Sequence, residues 1–202
     1  MPPDITTAQA RPYRGIPQDE RRAQRRNQLI AAAIAVYGER GYRQATVKAV
    51  CEAAGLTERY FYESFANSEE LLIASYNAVT YTVLHEMIAA AELAGDNPVD
   101  RGRAMLRTYF AALQREPRSA RVFLVEIRGV SRAVDKAFDS SLRAIAQQVG
   151  RIAGVEGVAP DPLLLAGVVG GVIHIALRWI EDGYTPGIEV VTETALRLGS
   201  AP

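Results

Sequence analysis

Two short helical patterns only three residues apart constrain this chain more than any other feature. Val47, Val50, Cys51 and Ala54 fall at i, i+3, i+4 and i+7 and mark one apolar helix face, with Thr46 placed before them as an N-cap. Gly55-Leu56 supplies a tight turn. Thr57 then caps a third short helix, Glu58 to Ser64, and Phe61 and Phe65, four apart, give it a buried side. Helices this short are unstable alone in water, so they must pack together. Upstream, Asp19 and Glu20 favour a helix start near Gln18. Leu29, Ala33, Val36 and Tyr37 line one face of that helix, and Gly41 stops it. Three helices, the last two joined by a glycine-containing turn, form the helix-turn-helix arrangement.

The remaining sequence predicts helices throughout. Ser68 is expected to cap a long one reaching about Ala94, with Leu72, Tyr76, Val83 and Met87 along a stripe, and Gly95-Asp96-Asn97-Pro98 ends it. Further runs fall at 99–115, 118–129, 132–153, 162–182 and 187–198. They are punctuated by Pro117, Gly129, Gly154, Pro160, Pro162, Gly183 and Pro186. No alternation with period two is sustained. The expected class is all-α with about nine helices: a three-helix helix-turn-helix domain over 18–66, then a larger helical ligand-binding and dimerisation domain over 67–202. Pro-rich residues 1–17 read as a flexible basic arm.

Charge adds direction. The formal net charge is zero, yet before residue 30 six arginines face three acids. A localised basic head suits DNA, although a solvated tail looks the same. The single cysteine, Cys51, excludes an intramolecular disulfide and fits a reducing cytoplasm, where it reads as a small core residue. No secretory signal is read in residues 1–20. Leu163 to Ile180 is long and apolar, but His174 and Arg178 interrupt it, so it is expected to be buried in protein and not in a membrane.

Burying the valines, Cys51, Leu56, Phe61 and Phe65 leaves Glu58, Arg59, Tyr60 and Tyr62 facing outward, a composition suited to reading a DNA groove. The segment Gln28–Leu72 resembles the DNA-binding domain of the tetracycline-repressor (TetR) family. The landmarks are Leu29-Ile30, Ala32-Ala33, Gly41-Tyr42, Thr46-Val47, Ala54-Gly55-Leu56-Thr57, Phe61-Tyr62, Phe65 and Glu69-Glu70-Leu71-Leu72. The resemblance implies that Thr46 and Tyr62 hold phosphates, that Lys48 meets a phosphate or a base, and that Thr57 lies among phosphate contacts. Arg59 and Tyr60 are the candidates for base reading, by guanine edge and thymine methyl. Glu58 either accepts from a cytosine or is simply solvated. Tyr60, Ser64 and Ser68 depart from the family's small hydroxyl residue, histidine and lysine. The arginines before residue 27, Arg25 among them, are expected to replace the lost phosphate contact.

For the body, the resemblance implies an effector pocket between helices and a homodimer through the two C-terminal helices. Tyr81, His85, Tyr109, Phe110, Phe123, Arg128 and His174 are the candidate ligand contacts, each alternatively ordinary core. Arg128 is either a counter-charge to Glu126 or a ligand anchor. Gly167, Gly170 and Gly171 permit close helix approach. The expected partners are therefore double-stranded DNA with an inverted repeat, an apolar or aromatic small molecule that relieves repression, and a second copy of the chain. No cofactor and no metal is expected, because His85 and His174 lack ligand spacing. No nucleophile stands beside a base, so an enzyme is not expected. The rival reading is a dimeric helical scaffold or small-molecule carrier with a vestigial helix-turn-helix.

Overall fold

Capping side chains set where the helices begin. In a computed structural model, which describes residues 17–153 and 161–199, nine α-helices follow one another and no strand occurs among the described residues. They are α1 (Gln18–Arg40), α2 (Val47–Ala54), α3 (Glu58–Ser64), α4 (Ser68–Leu93), α5 (Pro98–Arg115), α6 (Pro117–Arg121), α7 (Arg132–Ala153), α8 (Pro162–Glu181) and α9 (Ile188–Gly199). The chain is all-α, as expected. The expected arm lies outside the described residues except for Pro17, as does the punctuation at Gly154 and Pro160.

Thr46 caps α2, its hydroxyl oxygen accepting from the Ala49 N–H at 3.1 Å. Gly55 ends α2 in the left-handed region at φ 65°, ψ 29°, and the next N–H, that of Leu56, closes on the Cys51 carbonyl at 2.9 Å. That is a glycine's conformation, and it is what lets α3 follow at once. Thr57 occupies the cap position of α3, but its side chain makes no capping bond.

Two places differ from the sequence expectation. Asn67, not Ser68, caps α4: its side chain accepts from the Glu70 N–H at 2.9 Å, and the Glu70 carboxylate accepts in return from the Ala66 N–H at 2.7 Å. Pro98 and Pro162 each open a helix behind a capping residue, Asn97 and Asp161, within one residue of the starts expected at 99 and 162. A first-turn N–H has no partner inside a helix, so proline loses nothing there. The single run expected over 118–129 is instead the short α6 followed by a π-helical segment, Val122–Glu126.

Packing joins all of this into one core. α1 holds α2 and α3 on one side and α6 on the other, α4 lies along α5, and α5 carries α9. Gly38 permits the α1–α6 approach, since a Cβ there would come within 2.6 Å of the Arg118 backbone. Buried side chains run continuously from Leu29 in α1 through Tyr76 and Phe123 to Ala195 in α9. The helix-turn-helix unit therefore shares its core with the body.

α8 is the exception. It is long and apolar enough to cross a membrane by length and composition, yet only 11 % of its apolar window is buried in the chain. Leu163 and Leu164 are exposed, and Gly167 and Gly170 face open space. Gly171 instead meets Leu198 of α9.

Candidate nucleic-acid interface and the cavity behind it

Phe61 anchors α3. Its ring is fully buried, 5.9 Å from that of Phe65, so the opposite side of this short helix has to face solvent. Glu58, Arg59 and Tyr62 lie there, Tyr62 with 60 % of its surface exposed. The Arg59 Nε donates to the Glu63 carboxylate at 3.0 Å. An exposed pair of this kind contributes little, so Arg59 can leave Glu63 for a better acceptor at small cost. Thr46, Lys48 and Thr57 are exposed too, with Lys48 3.9 Å from Glu52. Thr46 uses its oxygen as a cap acceptor, which leaves the hydroxyl proton to donate.

Tyr60 differs from the expectation. It is half-buried beneath Arg25, whose guanidinium lies 4.5 Å from the ring centre. Arg25 also comes within 3.8 Å of Glu63, and Arg22 donates to the Glu63 carbonyl at 2.7 Å. The basic end of α1 therefore grips α3, and Glu63 is the hub. Sequence spacing missed this residue because its partners lie some forty positions away. Cys51 sits in the core, where burial and then the nearby Glu58 charge push its thiol up, keeping it protonated.

Behind this domain a cavity of about 350 Å³ opens between α4, α5, α7, α8 and α9. Of the candidate ligand contacts, Tyr109 and Phe123 line it. The other candidates lie elsewhere. Phe110 is fully buried against Trp179, at 5.4 Å between rings. Tyr81 and His85 lie ring against ring, tilted by 37°, on the outer side of α4, where the His85 Nδ1–H donates to the Tyr81 carbonyl at 2.8 Å. Arg128 lies exposed over Phe138, and His174 is exposed on α8. Aromatic and basic side chains stand out in a sequence, whereas the wall is mostly aliphatic: Val83, Leu84, Met87, Met105, Leu106, Leu142, Ile145 and Val172 among others. Helical periodicity does not distinguish such residues from solid core. Among the described residues the buried hydroxyls of Tyr109 and Thr192 lack a hydrogen-bond partner, Tyr109 belonging to the wall, whereas the Tyr76 hydroxyl lies against those of Thr80 and Ser141. Burial, with Tyr76 close by, raises the Tyr109 phenol far above its usual range, so it stays neutral.

The two regions touch through the π-helical segment. Phe123 lines the cavity, and three residues on the Glu126 carboxylate accepts from the Tyr42 N–H at 2.7 Å and from Arg121 Nε at 2.8 Å. Arg121, not Arg128, is thus the counter-charge of Glu126. Ser131 adds a second tie, donating to Glu69 at 2.8 Å.

A glycine-turned helix pair with an exposed polar face, mounted on a helical body that holds a cavity, is a helix-turn-helix arrangement. Residues 29–75 match the family model described as bacterial regulatory proteins, tetR family. The match to that family covers the helix-turn-helix segment and the start of α4. It is 29 % identical over 100 residues to the HTH-type transcriptional regulator BetI of Rhizobium meliloti (strain 1021), a match covering 50 % of this chain and 49 % of that protein. It is 24 % identical over 171 residues to the HTH-type transcriptional activator FasR of Mycolicibacterium smegmatis, covering 83 % and 75 %. Its fold resembles that of the transcriptional regulator FadR from Bacillus subtilis, solved in complex with stearoyl-CoA: TM-score 0.68, 19 % identity, 85 % of this chain and 96 % of that one. The chain thus spans about half the length of the first of these relatives.

Proposed function

We propose that this protein is a transcriptional regulator, a repressor that binds an inverted-repeat operator as a homodimer and releases it when a small apolar molecule fills the cavity. The outer face of α3 carries this reading: Arg59 and Tyr62 project into solvent from a helix locked by Phe61. Arg59 reads bases, with Glu58 a further candidate, while Tyr60 is held beneath Arg25. Tyr62, Thr46, Thr57, Lys48 and Arg25 meet the backbone, fixing register without reading sequence. Residues 18–66 form the DNA-binding unit, and 67–202 the effector and dimer unit. Residues 1–17 form a basic arm that adds phosphate contacts.

The uncovered apolar side of α8 supports dimerisation, because a second copy laid against Leu163, Leu164, Gly167 and Gly170 removes it from water. A pair of α3 helices held ~34–36 Å apart then matches two half-sites one helical turn apart. The FadR complex and the aliphatic wall support an effector with a substantial apolar body. Filling the cavity displaces Phe123, and through Glu126 and α4 it tilts the DNA-binding unit. Release requires the effector to favour the non-binding state by about 1–3 kcal/mol. The cytoplasm is the compartment for such a protein.

Titrating a labelled duplex that carries the DNA flanking the coding sequence tests this. The expected result is one dimer per inverted repeat, with log affinity falling against log salt by about −0.9 for each phosphate neutralised. Equal affinity for a scrambled duplex contradicts it.

A further inference from the structure

We infer that Glu63 is a specificity-determining residue: it buttresses Arg59, holding the Nε of that side chain so that Nη1 and Nη2 stand free to meet a guanine edge. The inference rests on the reading of α3 as the base-reading helix.

Arg59 lies in the first turn of α3 and Glu63 one turn later, so their side chains share a face. The Glu63 Oε1 accepts from the Arg59 Nε at 3.0 Å, and neither Nη1 nor Nη2 of Arg59 donates to a described residue. The unused donors include the parallel pair that fits the O6 and N7 of guanine. The Arg59 side chain is 83 % exposed, so that fork is open to solvent. Contact with a base therefore does not require the Glu63 bond to break. An unrestrained arginine samples many rotamers, and a hold on Nε removes much of that freedom before DNA arrives.

Glu63 is itself held. Its other oxygen, Oε2, lies 3.8 Å from the Arg25 guanidinium, which rests 4.5 Å from the Tyr60 ring centre. Arg22 donates to the Glu63 carbonyl at 2.7 Å. Two arginines of α1 thus fix the carboxylate and the backbone of the residue that fixes Arg59. The alternative role is that of a competitor, an acid that draws arginines away from phosphates. The two roles differ in sign. A competitor weakens binding to every duplex, so its removal tightens them all. A buttress acts through Arg59, so its removal weakens the operator and spares a sequence in which Arg59 has no base to read. The small contribution of an exposed pair to stability is no obstacle, because the role is orientation.

Equilibrium binding of the full chain to two duplexes tests this: the DNA flanking the coding sequence, and a scrambled version of equal length. Glu63→Ala is expected to weaken operator binding about tenfold, part of what a two-pronged arginine–guanine contact supplies, and to hold the scrambled duplex at least as tightly as the parent does. Glu63→Gln keeps an acceptor for Nε and is expected to recover part of the loss. On an Arg59→Ala background, Glu63→Ala is expected to leave operator affinity within about twofold, as a residue acting through Arg59 must. The Arg22 bond to the backbone carbonyl survives either substitution of Glu63, and thermal melting of each variant checks the fold. Tightening of both duplexes by Glu63→Ala overturns the inference and makes the acid a competitor. Equal weakening of both overturns it too, as does a tenfold operator loss that persists without Arg59, since either makes Glu63 a general prop of α3. In those cases a parent that prefers its operator keeps the base-reading proposal standing. If the parent does not distinguish the two duplexes, that proposal falls and this inference with it.

Discussion

Glu126 shows how much a single carboxylate can join. Its oxygens accept from the Tyr42 N–H and from Arg121, so one side chain ties the body to the turn after α1. Glu126→Ala strips both donors of their acceptor and is expected to cost about 1–3 kcal/mol in urea unfolding, with Glu126→Gln recovering part of it through the Tyr42 bond. An Ala variant as stable as the parent contradicts this. The pairing was not readable in advance, since Tyr42 lies 84 positions from Glu126. The choice of Arg121 over Arg128 also depends on a local irregularity: the π-helical segment brings residues five apart into line, where an α-helix aligns residues three and four apart. Thr46 and Phe61 were legible because capping and i,i+4 spacing are local rules. Tyr60 was misplaced because its cover, Arg25, comes from another helix.

Between elements, the closest approach is that of α1 and α6. Alanine ordinarily improves on glycine in a helix by about 1 kcal/mol. At Gly38 the added Cβ would meet Arg118 Cα and carbonyl oxygen at 2.6 Å, and backbone does not step aside as a side-chain tip does. Overpacking of about 1–3 kcal/mol wins, so Gly38→Ala is expected to lower Tm by about 2–4 °C for each kcal/mol lost. Gly171→Ala, whose neighbour is the flexible end of Leu198, is expected to cost less. A raised Tm for Gly38→Ala contradicts the account. Element boundaries were largely legible from apolar spacing and glycines. Pro98 and Pro162 each close one segment and open the next, and the capping Asn97 and Asp161 ahead of them fix the start. The cavity wall was the least legible part, since leucine and valine facing a void have the same spacing as leucine and valine facing each other.

Among the described residues the molecule is a helix-turn-helix unit and a cavity sharing one core, with one apolar helix, α8, left largely uncovered. Its central claim is that the outward side of α3 reads DNA when two chains hold it in register. Binding of the operator and a scrambled duplex by the parent, Arg59→Ala and Tyr62→Ala chains, each verified as folded and dimeric, tests that most directly. The account predicts that Arg59→Ala loses about 1–3 kcal/mol on the operator and much of its preference over the scrambled duplex, while Tyr62→Ala weakens both duplexes alike. Parental affinity and parental preference in both variants would contradict it.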